Sequence, residues 1–376
     1  MRNYGFAALC DFLGDLVVYR NLVPADPRLP PLAEVRPQLG LRDGTIPRKS
    51  APEYARVIVT LLRQVRALDM PGTSIERLVY VGDTRLNDGN AFINICRAGQ
   101  WPGLAFIASE GKGRTTTKLV HQTEGILYLA NRWAALEDFV RFCHEQRFPL
   151  DEQTAVIIDI DKTALGARGR NDHVIDQARV EALYRTTRDL LGDDFDSDRF
   201  QAAYNRLNQP EFHPFTADNQ DYLAYTCLIL GSGLYLLESL VKEIRSGRLA
   251  TFQHFIADVD QRAAELPPGL LNIHRQIYSR VLQGDPTPFK AFRYNEYQAT
   301  VERMGKLDNE ATATDLLREE IVITQEVRET ALAWREQGAL LFGLSDKPDE
   351  ASIPIERLAS QGYQPIHRTK THVVGD

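Results

Sequence analysis

Two aspartates close an apolar run at alternate positions in Ala155-Val-Ile-Ile-Asp-Ile-Asp-Lys-Thr163, and no other stretch of this chain is better suited to chemistry. Alternate residues of a strand share a face, so Asp159 and Asp161 leave it together, with roughly 6 to 7 Å between their Cα atoms. Carboxylates held that close repel unless a cation lies between them or one keeps its proton, and catalysis uses both arrangements. The competing reading is a strand-end turn whose aspartates cap the next helix. A second apolar run, Val79-Tyr-Val-Gly-Asp-Thr-Arg-Leu-Asn-Asp88, breaks at Gly82 and then offers Asp83, Asn87 and Asp88, oxygen donors suited to a hard divalent cation. A third run, from Gly338, ends in Ser345, whose hydroxyl can donate to an anionic oxygen, followed by Asp346, Lys347 and Pro348. Lys49 supplies a cation directly before a helix start at Pro52 and Glu53. Each fragment alone is common. Together they make a nucleophile, a proton donor, metal ligands, a hydroxyl and a lysine, the set that phosphoryl transfer needs.

The elements that must position these groups follow from periodicity. Strands are expected near 15–19, 78–82, 103–108 and 155–160, with helices near 51–67 and 132–147 between them. That alternation predicts an α/β fold, a doubly wound parallel sheet covered on both faces. Proline-rich residues 24–37 read as an irregular connection. From about 175 to 330 the pattern is helical almost throughout, with no strand pair evident. The expected division is a core of 1–168 with 332–376, and an α-helical insert of 169–331.

Composition narrows the function classes. At 376 residues the chain is long enough for two domains, and 43% apolar with 25% charged residues is ordinary globular usage. A net charge of -7 argues against a nucleic-acid surface. Cys10, Cys96, Cys143 and Cys227 are scattered without a C-x-x-C pair, so neither a disulfide framework nor a zinc site is implied. The apolar stretch Leu223 to Val241 contains Gly231, Ser232, Gly233 and Glu238, and reads as a buried helix rather than a membrane span. No charged and apolar signal segment opens the chain, so a cytoplasmic protein without a membrane partner is expected.

In these motifs the chain resembles the haloacid dehalogenase superfamily, mostly magnesium-dependent phosphohydrolases with a doubly wound, Rossmann-like α/β core. Asp159, Asp161 and Thr163 match its first motif, D-x-D-x-T after a hydrophobic strand. Ser345 matches the second, Lys49 with Pro52 and Glu53 the third, and Gly82, Asp83, Asn87 and Asp88 the fourth, G-D-x-x-x-N-D. The family runs first, second, third, fourth, whereas this chain runs third, fourth, first, second, which reads as a circular permutation. Two tandem modules fit less well, because the amino-terminal half lacks a second carboxylate and the carboxyl-terminal half lacks a metal-binding loop.

What the resemblance implies is a Mg²⁺ ion held by Asp159, Asp161, Asp83 and Asp88, with Asp161 acting through a nearby backbone carbonyl and Asn87 behind the ligands. Asp159 is then the nucleophile and Asp161 the proton donor and acceptor, while Lys49 and Ser345 hold phosphoryl oxygens. Thr163, Arg168 and Arg170 are candidates on the substrate side, Thr163 more as an orienter of the loop. The helical insert corresponds to a cap, with Lys290, Arg293 and Tyr294 as candidate contacts. The tail from His367 to His372 is expected to trail. The expected function is a Mg²⁺-dependent phosphatase acting on a small phosphomonoester through an aspartyl-phosphate. The alternatives are a phosphomutase or phosphotransferase on the same fold, or a non-catalytic binding module. Asp161 argues against dehalogenation and phosphonate cleavage.

Overall fold

Continuous apolar runs rich in β-branched residues form fully buried strands, as expected where both faces of a parallel sheet are covered. The computed structural model describes residues 1–376 other than Asp43, Thr45, Asp218 and the side chain of Asp194. Its strands are β1 Arg2–Ala7, β2 Val17–Val18, β3 Arg77–Gly82, β4 Gly103–Ala108, β5 Thr117–His121, β6 Gly125–Ala130, β7 Thr154–Asp159, β8 Ile323–Thr324, β9 Leu340–Leu344 and β10 Thr371–Gly375. Seven build one sheet in the order β2-β9-β7-β3-β4-β6-β5, parallel except where β5 runs antiparallel to β6. The fold is therefore mixed α/β with a mostly parallel sheet. β7 lies between β9 and β3, with Asp159 opposite Leu344 and Ile158 opposite Val81.

The helix Pro52–Asp69 begins on Pro52 with Glu53 in its first turn, both favourable at an amino-terminal end. It buries Tyr54, Ile58, Leu61, Leu62 and Val65 at helical spacing against the sheet residues Leu78, Tyr80, Ile157 and Phe342. The helix Asn87–Gly99 follows β3 directly and stops where Gln100 turns left-handed.

Three elements depart from the sequence reading. The β5–β6 hairpin is an addition to the expected strands, and β5 gave no sign of itself because it is almost wholly exposed and carries no apolar periodicity. The carboxyl-terminal tail does not trail. His367 and His372 are buried, and β10 pairs antiparallel with β1 and parallel with β8 in a second, three-stranded sheet. The stretch Leu223 to Val241 is two helices, Gln220–Gly231 and Leu237–Arg245, separated by a turn with Gly233 at φ 79°. Among the described residues no helix is long and apolar enough to cross a membrane.

The chain divides into two compact units, Met1–Ala178 with Thr300–Asp376, and Arg179–Ala299. The helical unit is thus shorter than the expected 169–331. Residues 169–178 and 300–331 join the α/β unit, where Asn171 donates to the carbonyls of Leu317 and Glu320 and β8 pairs with β10. Within the helical unit, Tyr225, Phe252 and Phe255 pack edge to face, and a buried Arg293 is held by Asp221 at 2.6 Å and by Glu296. Arg293 is therefore a structural ion-pair partner in that unit.

Candidate active site

The carboxyl ends of adjacent parallel strands are where α/β sheets bind ligands, and β9, β7 and β3 deliver Ser345, Asp159 and Asp83 to that edge. Lys49, 110 positions before Asp159 in the chain, closes the group. Its ammonium contacts Asp159 and donates to Asp88 Oδ1 at 2.7 Å, with all three side chains at most 5% exposed.

Asp88 owes its position to its place in the first turn of the helix Asn87–Gly99. From there its Oδ2 accepts from the backbone of Asp83 and from the backbone and hydroxyl of Thr84, while Oδ1 accepts from Lys49 and from Tyr80 Oη at 3.0 Å. Gly82 is required beside it, because a Cβ there would sit 2.7 Å from both Cβ and Cγ of Asp88. Asp159 Oδ2 accepts from Thr163 at 2.7 Å, so Thr163 orients this carboxylate. The loop that makes this contact is held from behind by Thr324 of β8, whose hydroxyl donates to the Thr163 carbonyl at 2.6 Å and whose N–H donates to that of Ala164. Lys162 stands in the left-handed region at φ 65°, a conformation costing a non-glycine residue about 1 kcal/mol, and ties to Asp176 at 2.9 Å.

Among the described residues, Asp83, Asp88 and Asp159 each present an oxygen within 4.8 Å of the others, a cluster that could hold a metal ion. Their charges are unevenly met. Burial pushes Asp159 up to about 7 against the pull of Lys49, with the charge of Asp88 adding to the rise. Burial also pushes Asp83 up to about 9, reinforced by Asp159 and Asp88 and opposed by Arg168. Burial acts upward on Asp88 as well, but Lys49 and the donors around it hold that carboxyl below the usual range. Burial works against the Lys49 charge too, and Asp159 and Asp88 outweigh it, so the ammonium stays protonated. Burial and mutual repulsion raise Asp83 and Asp159 despite Lys49 and Arg168, and a cation among these hard oxygen donors would displace the protons they retain, so the set could hold a divalent cation such as Mg²⁺.

Of the other sequence candidates, Arg168 touches this cluster and the rest lie apart from it. Asp161 is not among its carboxylates. The chain turns after β7, and Asp161 instead lines a cavity with Ser345, Tyr19, Ile160, Leu165 and Lys347. Ser345 is buried, with its N–H on the Val18 carbonyl and its Oγ accepting from the Lys347 N–H. Arg168 reaches Asp83. Arg170, whose side chain is 2% exposed, is engaged by Glu110 and Glu326 and braces the loop instead of facing a substrate. Asn87 is exposed at the start of its helix.

Sequence reasoning missed Tyr80, Thr84, Thr324 and Tyr54. Tyr80 had a signal, a lone hydroxyl-bearing side chain two residues before Gly82 on the same strand face. Thr84 had none, since it stands four residues before Asp88 and is not the helix's cap. Thr324 and Tyr54 had none. Compared with protein-family models, with curated proteins and with solved structures, the chain matches none.

Proposed function

We propose that this chain is a Mg²⁺-dependent phosphohydrolase of the haloacid dehalogenase type, permuted in sequence, acting on a small phosphomonoester. One observation carries the reading: Lys49, Asp88 and Asp159, from three distant segments in an order foreign to that family, meet in one buried cluster with Asp83 beside them. The sheet supports a single composite site, since the strands leading to Ser345, Asp159 and Asp83 are neighbours and parallel. A permutation leaves such adjacency intact while changing only where the chain is cut.

Asp159 attacks phosphorus in line, forming an aspartyl-phosphate as the substrate's alkoxide departs. Thr163 fixes the attacking carboxylate by holding its Oδ2. Lys49 accompanies Asp159 and lies where it can meet the phosphoryl oxygens, and Asp88 holds Lys49 in turn. Asp161, sharing a cavity with Ser345, donates a proton to the leaving oxygen and then takes one from the water that hydrolyses the intermediate. Ser345 lies on the opposite side of β7 from Asp83, where its hydroxyl can meet a phosphoryl oxygen. A Mg²⁺ held by Asp159 and Asp83, with Asp88 behind them, would offset the charge between carboxylate and phosphoryl group.

The test is hydrolysis of a small aryl phosphate. Wild-type turnover should require Mg²⁺ and stop with EDTA, and Asp159→Asn should abolish it while the circular dichroism spectrum is retained. Near-normal turnover in Asp159→Asn would remove this residue from the nucleophile's role, and a wild type inactive across a broad panel of phosphomonoesters would overturn the reading.

A further inference from the structure

We infer that Tyr54 is a further substrate-contacting residue, its hydroxyl donating to an oxygen of the bound phosphoryl group. The inference rests on the phosphohydrolase reading.

Tyr54 lies in the first turn of the helix Pro52–Asp69, five residues after Lys49. Its ring belongs to the main hydrophobic core of the α/β unit, and the residue is 1% exposed. Its Oη is buried and has no hydrogen-bond partner among the described residues. An orphaned hydroxyl of this kind carries an uncompensated desolvation cost, and phenylalanine would fill the same space without it. The neighbouring tyrosine at the site, Tyr80, differs in this respect, since it donates to Asp88.

The surroundings of the hydroxyl point to its partner. The charges acting on it come from Lys49, then Asp346, Asp159 and Asp88. It is thus close enough to feel the lysine and the carboxylates of the two segments assigned to the transferred group. Burial holds the phenol protonated well above its ordinary range, so it can only serve as a donor to an anion. The other buried donors are engaged: Lys49 by two carboxylates, Thr163 by Asp159 and Thr84 by Asp88. Tyr54, like Ser345, keeps a hydroxyl proton to donate, and an anion with several acceptor oxygens is what it lacks.

Tyr54→Phe separates this role from a structural one. In a thermal-shift titration of the full chain with Mg²⁺ present, inorganic phosphate and orthovanadate serve as probes. Without anion the variant should melt at the wild-type temperature or above it, because only an unpaired hydroxyl is lost. With anion, its titration midpoint should move about ten-fold or more to higher concentration, the loss expected of one hydrogen bond to a charged group. Equal midpoints would overturn the inference and leave the phosphohydrolase reading intact. A variant that melts well below wild type without anion would also overturn it, by giving the hydroxyl a structural partner. A wild type stabilised by neither anion would sink both readings.

Discussion

Replacing Asp83 with Asn should stabilise the protein in the absence of divalent cations. Burial and the charges of Asp159 and Asp88 push the Asp83 carboxyl from 3.8 up to about 9, so the folded chain keeps a proton that the unfolded chain releases. The sign follows from linkage: a raised carboxyl contributes stability that is fully present below about pH 4 and is lost as pH rises toward 9. At pH 7 the penalty is about 4 kcal/mol, at 1.36 kcal/mol for each pH unit above the unfolded value. The variant also loses the contact with Arg168, whose side chain is 36% exposed, and part of the burden moves to Asp159; the expected net gain is about 1 to 3 kcal/mol. Urea unfolding in EDTA at pH 5, 7 and 9, followed by tryptophan fluorescence, reads this directly. Trp101, Trp133 and Trp334 are buried and all belong to the α/β unit, so the signal is that unit's own. The wild type should weaken from pH 5 to 9, and Asp83→Asn should flatten that decline. Saturating Mg²⁺ should restore about 2 to 3 kcal/mol to the wild type, as a ligand at 100 times its dissociation constant does, and much less to the variant. A variant less stable than wild type in EDTA at pH 9, or a wild type indifferent to pH, would refute the reasoning.

Gly82→Ala should weaken Mg²⁺ binding by ten-fold or more, since its Cβ would stand 2.7 Å from Asp88 Cβ and force that residue off its five donors; isothermal titration of Mg²⁺ into the variant checks this, and unchanged affinity counts against it. Burial depresses His367, more than its hydrogen bond to Asp15 raises it, so its contribution to stability is fully present above pH 6.5 and lost as pH falls through the lower folded value. Melting temperature measured from pH 8 down to 5 should therefore fall less steeply in His367→Asn than in wild type, and parallel slopes would contradict the assignment.

The chemistry-bearing groups were legible where local pattern suffices. Asp159 and Asp83 end apolar runs, Ser345 follows one, and Lys49 precedes a proline-marked helix start, so strand parity and helix-start rules locate all four. The parallel α/β class was legible for the same reason: alternating buried strands and amphipathic helices leave few other architectures. Elements that bury no periodic apolar face escaped, as with exposed β5 and the two-residue β8.

An apolar run ending in Asp159, a glycine-broken acidic loop and a lysine before a helix are properties of neighbouring residues, and the amino-acid order alone settled them; the shared face expected for Asp159 and Asp161 did not hold, because β7 ends at Asp159. Which of them meet was settled only by folding. That Asp88 joins Asp159 while Asp161 turns to the Ser345 cavity depends on the backbone after β7, including the left-handed Lys162. That Arg170 is consumed by Glu110 and Glu326, Thr324 props the loop after β7 and Tyr54 is left without a partner among the described residues depends on contacts across tens to hundreds of residues. Periodicity tells which face a side chain leaves by, because that is fixed by backbone geometry over a few residues. It carries nothing about the partner waiting there, which is fixed by how the whole sheet is ordered.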